Sequence, residues 1–188
     1  MKINTDELPP LGDEYDGIPE VLVVGGWARD YFRDGVEPDD VDLMVAGTDA
    51  EEMESRGFTQ VEAASGFGVF LDSLGREVAL AREEVSTGDG HKDFDVHPVP
   101  ADVPAREAVE RDLKRRDFTV NAIAFDRDGY LWDPHHGVRD LDRGVLRAVD
   151  EHAFVHDPLR VLRGARFAAR LGAEIDDSTK GAMKQVEL

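Results

Sequence analysis

A strand–turn–helix segment near the N-terminus constrains the fold more than any other feature of this chain. Four consecutive apolar residues, Val21–Val24, predict a buried strand that closes at Gly25 and Gly26. Residues 27–33 are then predicted to form a helix that ends at Gly35. Glycines allow a ligand to approach the backbone, and the free N–H groups at a helix start attract phosphate oxygens. On its own, however, a Gly-Gly pair is more often only a tight turn.

Two carboxylates follow on the next predicted strand, residues 41–45. Asp40 and Asp42 are two positions apart, so their side chains point to the same face of a strand, while Val41 and Leu43 face the core. Paired carboxylates suit Mg²⁺, which accepts a few carboxylates together with substrate phosphates. A lone D-x-D in an acidic chain is usually a solvated turn. On the strand that follows the Gly-Gly turn and its helix, it predicts a metal site beside a triphosphate cradle.

Shorter patterns predict the remaining elements. They are a helix at 50–56, a strand pair at 69–71 and 77–80, a loop at 86–95, a helix at 105–115, a helix running into a strand at 119–125, and strands at 130–132 and 145–149. Two helices close the chain. The first covers 158–171, with Asp157 as N-cap and Pro158 in the first position, and the second starts near 177.

This order of elements predicts an α/β (α+β) fold, in which a small mixed sheet flanked by helices precedes a truncated helical neck. The predicted boundaries are a loose acidic N-terminal arm at 1–19, a head domain at 20–145 and the start of the neck at 146–188. The first neck helix is expected to have a partly solvated face opposite an apolar one. The solvated face holds Arg160, Arg163, Arg166 and Arg170, and the apolar face holds Leu159, Leu162, Phe167 and Leu171.

Charge is distributed unevenly along the 188 residues, whose net charge is −19. Residues 1–105 carry 7 basic and 25 acidic side chains, whereas residues 106–188 carry 15 and 16. Arginine outnumbers lysine 17 to 5. An acidic surface with few lysines keeps a protein hydrated in a salt-rich cytoplasm. We therefore expect a halophilic protein, with an ordinary acidic protein as the alternative.

Composition and spacing also argue against several structural features. Because the chain has no cysteine, disulfides and thiolate metal sites are excluded. No apolar run approaches the roughly 18 residues that cross a bilayer, and the acidic start lacks the features of a secretory signal. The expected location is the cytoplasm, without a membrane partner. The histidines 135, 136, 152 and 156 lack a coherent ligand spacing, so we expect no transition-metal site there.

Five motifs in order resemble those of bacterial-type (class II) tRNA nucleotidyltransferases and bacterial poly(A) polymerases, within the polymerase-β-like superfamily. The first is the Gly-Gly-x-x-Arg-Asp run of 25–30 followed by Asp40-x-Asp42. The second, 77–82 with 88–94, is similar to the flexible-loop region of that family, and the third, 112–122, to its ribose-selecting motif. The last two, 133–141 and 157–172, resemble the hinge and the nucleotide-selecting helix. Together they imply a polymerase-β-like nucleotidyltransferase head. The sequence of 77–82 is more similar to that of CCA-adding enzymes than to that of poly(A) polymerases.

The resemblance also implies roles for individual residues. Asp40 and Asp42 would hold Mg²⁺ as the catalytic carboxylates, and Glu77 is a candidate third carboxylate, with an ordinary surface residue as the alternative. Asp117 would meet the ribose hydroxyl. The incoming nucleotide would be contacted by Gly25, Gly26, Arg29, Arg116, Arg160 and Arg163. The implied reaction adds CMP and AMP from CTP and ATP to the 3′ end of an RNA, in this family a tRNA, by two-metal catalysis with two Mg²⁺ ions.

Asp157 and Arg160 are predicted to read the base. Three residues apart at a helix start, they are neighbours, and one accepts hydrogen bonds while the other donates them. Cytosine and adenine both present an amine donor beside a ring-nitrogen acceptor, whereas uracil and guanine present a carbonyl and an N–H. The pair therefore favours CTP and ATP without a nucleic-acid template.

Two departures from the family pattern leave alternatives open. The family usually has Glu immediately before Asp157, but this chain has His156, which puts the tuning of base choice in question. Full-length relatives continue into helical domains that hold tRNA, so a fragment, a minimal enzyme and a chain that works with a partner are all consistent. The alternative functions are a poly(A) polymerase or a stand-alone transferase on another RNA, and a non-catalytic nucleotide- or RNA-binding subunit.

Overall fold

The computed structural model describes residues 1–34, 41–86, 94–152, 154 and 157–186. Its helices are α1 (Gly26–Asp34), α2 (Ala50–Ser55), α3 (Ala105–Lys114), α4 (Gly137–Asp142), α5 (Leu159–Leu171) and α6 (Asp177–Met183). Its strands are β1 (Glu20–Val24), β2 (Asp42–Ala46), β3 (Thr59–Gln60), β4 (Val69–Leu71), β5 (Glu77–Leu80), β6 (Arg82–Ser86), β7 (Phe94–Pro98), β8 (Ala124–Asp126), β9 (Leu131–Trp132), β10 (Val145–Leu146) and β11 (Glu174–Ile175).

A mixed seven-stranded sheet runs in the order β3-β4-β5-β2-β1-β8-β9. β1 pairs antiparallel with β2 and β8, and β2 pairs parallel with β5. Val21 and Val23 belong to one apolar cluster, and Leu22 and Val24 belong to another on the opposite face. Because β1 is covered on both faces, its sequence is an unbroken apolar run. The predicted mixed sheet flanked by helices is confirmed.

Helices cover both faces of this sheet. Trp27 and Ala28 of α1 are buried in the cluster that contains Val21. On the other face, Val109 and Leu113 of α3 are fully buried. Burying an apolar side chain of this size stabilises the fold by about 1.5–3 kcal/mol. These contacts fix both α1 and α3 against the strands that carry the candidate site.

The N-terminal arm is part of the core, which corrects the expectation that residues 1–19 are loose. Ile3, Leu8, Tyr15 and Ile18 are buried in the α1-side cluster. The Tyr15 hydroxyl also donates a hydrogen bond to Asp72 over 2.9 Å. The arm has no helix or strand period, but short turns place its isolated apolar residues against the sheet. Periodicity therefore gives no signal for this packing.

A third apolar cluster joins α5 to the head. The rings of Phe118 and Phe167 pack with their centroids 6.0 Å apart. The expected apolar face of α5 is wrong in part, because Leu159 and Leu162 are 65% and 56% exposed. By contrast, the side chain of Arg160 is only 12% exposed. Glu84 and the Arg115 carbonyl oxygen of the head bind Arg160 on the inner side of the helix, and the two leucines point outward.

The strand pair at 69–71 and 77–80 is confirmed. The predicted strand at 145–149 is limited to Val145–Leu146, and the helical start predicted at 119 is a 3₁₀ turn, Thr119–Asn121. The other predicted helices and strands agree with the structure apart from shifts at their ends. The predicted loop at 86–95 is wrong at its ends, since β6 and β7 form an antiparallel hairpin in which Ser86 pairs with Phe94. Residues 87–93 lie outside the described part. The hairpin was missed because Arg82-Glu-Glu-Val-Ser86 lacks the apolar alternation of a half-buried strand. In the described ranges, no helix is both long and apolar enough to cross a membrane.

Candidate active site

The turn between β1 and α1 forms one wall of an open cleft. Gly25 adopts φ = +67°, a left-handed conformation that side chains other than glycine rarely adopt. A Cβ atom at Gly25 would lie 3.2 Å from Nη1 of Arg116 and 3.7 Å from Oδ2 of Asp42. Glycine is therefore favoured twice, by the backbone and by the close approach of two predicted site residues.

The cleft has a volume of about 790 Å³ and collects every predicted site residue that the structure describes. These are Gly25, Gly26, Arg29, Asp42, Glu77, Arg116, Asp117, Asp157, Arg160 and Arg163. Asp40 lies outside the described residues. Eight of the 17 arginines of the chain line this cleft: Arg29, Arg82, Arg115, Arg116, Arg160, Arg163, Arg166 and Arg170. An otherwise acidic chain thus concentrates positive charge where a polyphosphate would bind.

Asp42 and Glu77 lie side by side at one edge of the cleft. In the parallel pairing of β2 with β5, Leu43 is opposite Val78, so the residues that precede them occupy neighbouring positions on the same face. Leu43 and Val78 are buried, whereas Asp42 and Glu77 are exposed. Accessible carboxylates beside arginines suit a hard divalent cation that also binds phosphate. Within the described ranges, no group of three or more His, Asp or Glu side chains is arranged to hold a metal ion.

Asp112 on α3 anchors a cluster of arginines. It is 1% exposed, and its Oδ1 and Oδ2 accept hydrogen bonds from Nη2 of Arg115 and of Arg116 over 2.6 and 3.0 Å. The backbone N–H of Arg82 also donates to it over 3.1 Å. Burial raises the pKa of Asp112, but the Arg116 and Arg115 guanidiniums outweigh burial and hold this pKa below its usual range. One ionised carboxylate thus fixes two arginines beside the Gly25 turn.

Arg29 is held from behind the cleft wall. It is 2% exposed, its Nε and Nη2 donate to Asp30 over 2.8 and 2.7 Å, and its Nη1 donates to Oδ1 of Asn121 over 2.7 Å. Asp30 also forms an ion pair of 3.1 Å with Arg170 of α5. Arg29 therefore connects the first helix to the turn that carries Asn121. Its contact with a nucleotide stays a prediction.

Asp117 and Arg163 form an ion pair across the cleft. Nε and Nη2 of Arg163 lie 2.8 and 2.7 Å from Oδ2 of Asp117. Oδ1 of the same carboxylate accepts the backbone N–H of Phe118 over 2.8 Å and Nδ2 of Asn121 over 2.9 Å. Asp117 is 5% exposed, so this network is largely shielded from solvent. A sugar hydroxyl that binds Asp117 must therefore share Oδ2 with Arg163.

The start of α5 also lines the cleft. Oδ1 of Asp157 accepts the backbone N–H of Leu159 over 3.1 Å, the bond expected of a capping side chain, although the N-cap position is Pro158 and not Asp157 as predicted. The helix itself begins at Leu159, one residue later than expected. Nη2 of Arg160 donates to Glu84 over 2.8 Å and to the carbonyl oxygen of Arg115 over 3.1 Å. These contacts hold the Arg160 side chain in the cleft.

Several cleft residues were not singled out from the sequence, although the motifs contain most of them. Arg82 ends one motif, Asp112, Arg115 and Asn121 fall within another, and Phe167 lies on the predicted nucleotide-selecting helix. Spacing alone does not reveal that they face the cleft, because part of each network is distant in sequence: Asn121 binds Arg29, 92 positions away, and Asp112 accepts the Arg82 N–H from 30 positions away. Glu84 lies just past the 77–82 motif and was missed together with the β6–β7 hairpin.

Known proteins match this chain in sequence and in structure. The family model of the poly A polymerase head domain matches residues 21–147, which is more than half of the chain. The Multifunctional CCA protein of Pseudomonas fluorescens (strain SBW25) is 46% identical over 171 residues, which cover 89% of this chain and 40% of that protein. The chain therefore spans less than half the length of this relative.

Two solved structures resemble the fold described above. The Bacillus stearothermophilus CCA-adding enzyme in complex with CTP has a TM-score of 0.71 and 27% identity, and the match covers 92% of this chain and 40% of that one. A complex of a CCA-adding enzyme with ATP has a TM-score of 0.71 and 28% identity, over 96% and 42% of the two chains. The family match, the relative and the shared fold agree with one another. This chain belongs to the poly A polymerase head domain family, whose members include CCA-adding enzymes.

Proposed function

We propose that this chain adds CMP and AMP from CTP and ATP to the 3′ end of an RNA, with tRNA as the natural acceptor. The observation that carries the proposal is the cleft itself, in which Asp42 and Arg116 both approach Gly25 and which Asp157 and Arg160 also line. Solved structures of relatives contain CTP or ATP, and the chain has the same fold. Both nucleotides are those that the Asp157–Arg160 pair favours.

In the proposed reaction, the RNA 3′-hydroxyl attacks the α-phosphate and pyrophosphate leaves. The β1–α1 turn and Arg116, which Asp112 holds in place, bind the triphosphate. Asp42 and Glu77, with Asp40, are the residues that would hold Mg²⁺. Bound there, Mg²⁺ would activate the hydroxyl and stabilise the leaving group. Positioning and charge stabilisation supply most of such catalysis, so no nucleophilic side chain is required.

Binding of the RNA body is proposed from the length of the relatives and not from the cleft. The relative from Pseudomonas is more than twice as long as the matched segment. Further helical domains or a partner chain would supply contacts to the body of a tRNA, while the cleft described here receives the 3′ end. Two alternative functions are a transferase of another kind, either a poly(A) polymerase or an enzyme acting on another RNA, and a non-catalytic nucleotide- or RNA-binding subunit.

We further propose that the protein works in a salt-rich cytoplasm. Its net charge of −19 lies mostly in residues 1–105, whereas the arginines gather in the cleft. High ionic strength shortens the range of repulsion between surface carboxylates. Ion pairs within the cleft are partly buried and are screened less.

One assay tests the function directly. The protein is incubated with tRNA that lacks its 3′-terminal CCA, with each labelled nucleoside triphosphate in turn, across a range of KCl concentrations and with Mg²⁺ present or chelated. Incorporation of C and A that stops at three nucleotides supports CCA addition. Long A tails would instead identify a poly(A) polymerase. If the protein binds triphosphates but incorporates none into tRNA or into unrelated RNAs, it is a non-catalytic binding subunit.

A further inference from the structure

Asn121 contacts three of the residues that are predicted to bind the nucleotide. Its Oδ1 accepts a hydrogen bond from Nη1 of Arg29 over 2.7 Å, and its Nδ2 donates one to Oδ1 of Asp117 over 2.9 Å. Its carbonyl oxygen accepts Nη1 of Arg116 over 3.2 Å. Asn121 is 6% exposed and lines the back of the cleft. The buried side-chain amide of Asn121 thus lies between Arg29 and Asp117, while its backbone carbonyl oxygen binds Arg116.

The chemistry of these partners allows only one orientation of the amide. A guanidinium has donors only, so the side-chain oxygen of Asn121 must face Arg29. An ionised carboxylate only accepts, so the NH₂ group must face Asp117. Neither an aspartate nor an apolar residue of similar size can satisfy both neighbours. The two ends of the amide therefore fix each other.

Asn121 determines which oxygen of Asp117 is left for other partners. Oδ1 is already occupied by the backbone N–H of Phe118 and by Asn121. Oδ2 consequently points toward Arg163, which is half exposed at the cleft. In the proposed function, a hydroxyl group of the bound sugar would meet Oδ2 in this orientation. If the contact with Asn121 is lost, one constraint on the rotation of the carboxylate disappears.

We propose that Asn121 is a positioning residue that sets ribose selection by holding Asp117 with Oδ2 toward the bound sugar. The inference rests on the proposed function, in which Asp117 meets the ribose hydroxyl. Asn121 itself touches no substrate in this scheme. Base choice is assigned in the proposed function to Asp157 and Arg160 at the start of α5, and should therefore respond less to a change at Asn121.

The test compares CTP with 2′-deoxy-CTP in single-nucleotide addition by the wild-type protein, Asn121→Ala and Asn121→Ser. We expect the ratio of kcat/KM for the two substrates to fall by about tenfold or more in Asn121→Ala, the equivalent of one well-placed hydrogen bond. Asn121→Ser keeps a small donor and should fall less. The ratio of CTP to UTP should stay within about twofold of wild type.

Two controls separate ribose selection from general damage to the fold. Asp117→Asn alters the proposed sugar contact itself and should lose the ribo-to-deoxyribo preference. Thr119→Val removes the buried 2.9 Å hydrogen bond from Thr119 to Asp140, on the same turn but directed away from the cleft, and should keep the preference. Circular dichroism and thermal melting check that each variant folds.

The outcomes are distinguishable. Absence of transfer by the folded wild-type protein under all RNA and salt conditions would overturn the proposed function. Normal wild-type transfer with an unchanged CTP to 2′-deoxy-CTP ratio in folded Asn121→Ala would overturn only the role of Asn121. Failure of both Asn121 variants to fold would assign this residue to folding instead, and would likewise overturn the inference.

Discussion

Oδ2 of Asp157 lies 3.6 Å from Nε of Arg160 at the start of α5. Oδ1 of the same carboxylate accepts the Leu159 N–H, and Nη2 of Arg160 is bound to Glu84. One oxygen of Asp157 therefore caps the helix while the other stays beside a fixed guanidinium. An acceptor next to a donor is the arrangement that matches the amine and ring nitrogen of cytosine and of adenine.

Asp157→Asn should relax base selection in a protein that still folds. Asn can accept the Leu159 N–H, but its NH₂ group would then face the base amine, donor against donor. A buried hydrogen-bonding group left unsatisfied costs roughly 1–3 kcal/mol, so preference for CTP and ATP over UTP and GTP should fall by about tenfold or more. All four triphosphates are assayed on the folded variant. Unchanged selectivity would mean that Asp157 only caps the helix. Asp157→Ala is a less specific probe, because it also removes the cap, at a cost of about 1 kcal/mol.

Replacing Asp42 by Ala should abolish transfer and leave the fold intact. The side chain faces the cleft, while the neighbouring core residue Leu43 is untouched. Loss of the metal contribution costs several kcal/mol of transition-state stabilisation, so kcat should fall by about a thousandfold. Asp40→Ala should have the same effect. Asp102→Ala, at an exposed position, is the control and should keep normal turnover. Near-normal turnover of Asp42→Ala or Asp40→Ala in Mg²⁺ would refute the proposed metal site.

Stability should rise with KCl. Screening relieves repulsion between the carboxylates of a chain with a net charge of −19, and the Debye length falls from about 10 Å at 0.1 M to about 3 Å at 1 M. The Tm is measured from 0.1 to 3 M KCl, with sucrose as an uncharged control. A Tm that stays flat or falls would remove the halophilic proposal. Affinity for RNA should weaken over the same range, because releasing counterions from the RNA into a more concentrated salt solution is less favourable.

Asp72 should make stability depend on pH in the acid range. It accepts hydrogen bonds from Tyr15, from the side chain of Arg76 and from the backbone N–H groups of Leu74 and Arg76. Burial raises the pKa of Asp72, but these hydrogen bonds and the Arg76 charge outweigh it and lower this pKa. A carboxyl whose pKa is lower in the folded state stabilises above its unfolded pKa of about 3.9, and the stabilisation is lost as pH falls through the folded pKa.

Asp72→Asn should therefore destabilise the protein by roughly 1–3 kcal/mol at pH 7 and by less at pH 3. Urea unfolding at the two pH values measures the difference. Asp102→Asn, at an exposed position, should leave both values unchanged. An equal loss at pH 7 and pH 3 would mean that the charge of Asp72 contributes nothing.

Local patterns predicted the parts of the site that neighbours in sequence build. The β1–α1 turn, the β2 strand with Asp42 and the Asp157 capping bond each depend on residues within a few positions, and each was recovered. Partners far apart in sequence were not. Arg163 binds Asp117, 46 positions away, and Arg160 binds Glu84, 76 positions away. Such distant pairs produce no periodic pattern or characteristic spacing in the sequence, because only the folded structure brings the two charges together.

The packing of the first three residues has a consequence for how the protein behaves in a crowded solution. β9 ends the seven-stranded sheet, and there the Leu131 N–H donates to the Met1 carbonyl oxygen while Lys2 bridges to Tyr130. An open strand edge is a template on which another chain can add. The N-terminus occupies that edge and places a charged lysine beside it. Removing these residues would uncover backbone donors and acceptors, and would favour edge-to-edge aggregation of the folded protein.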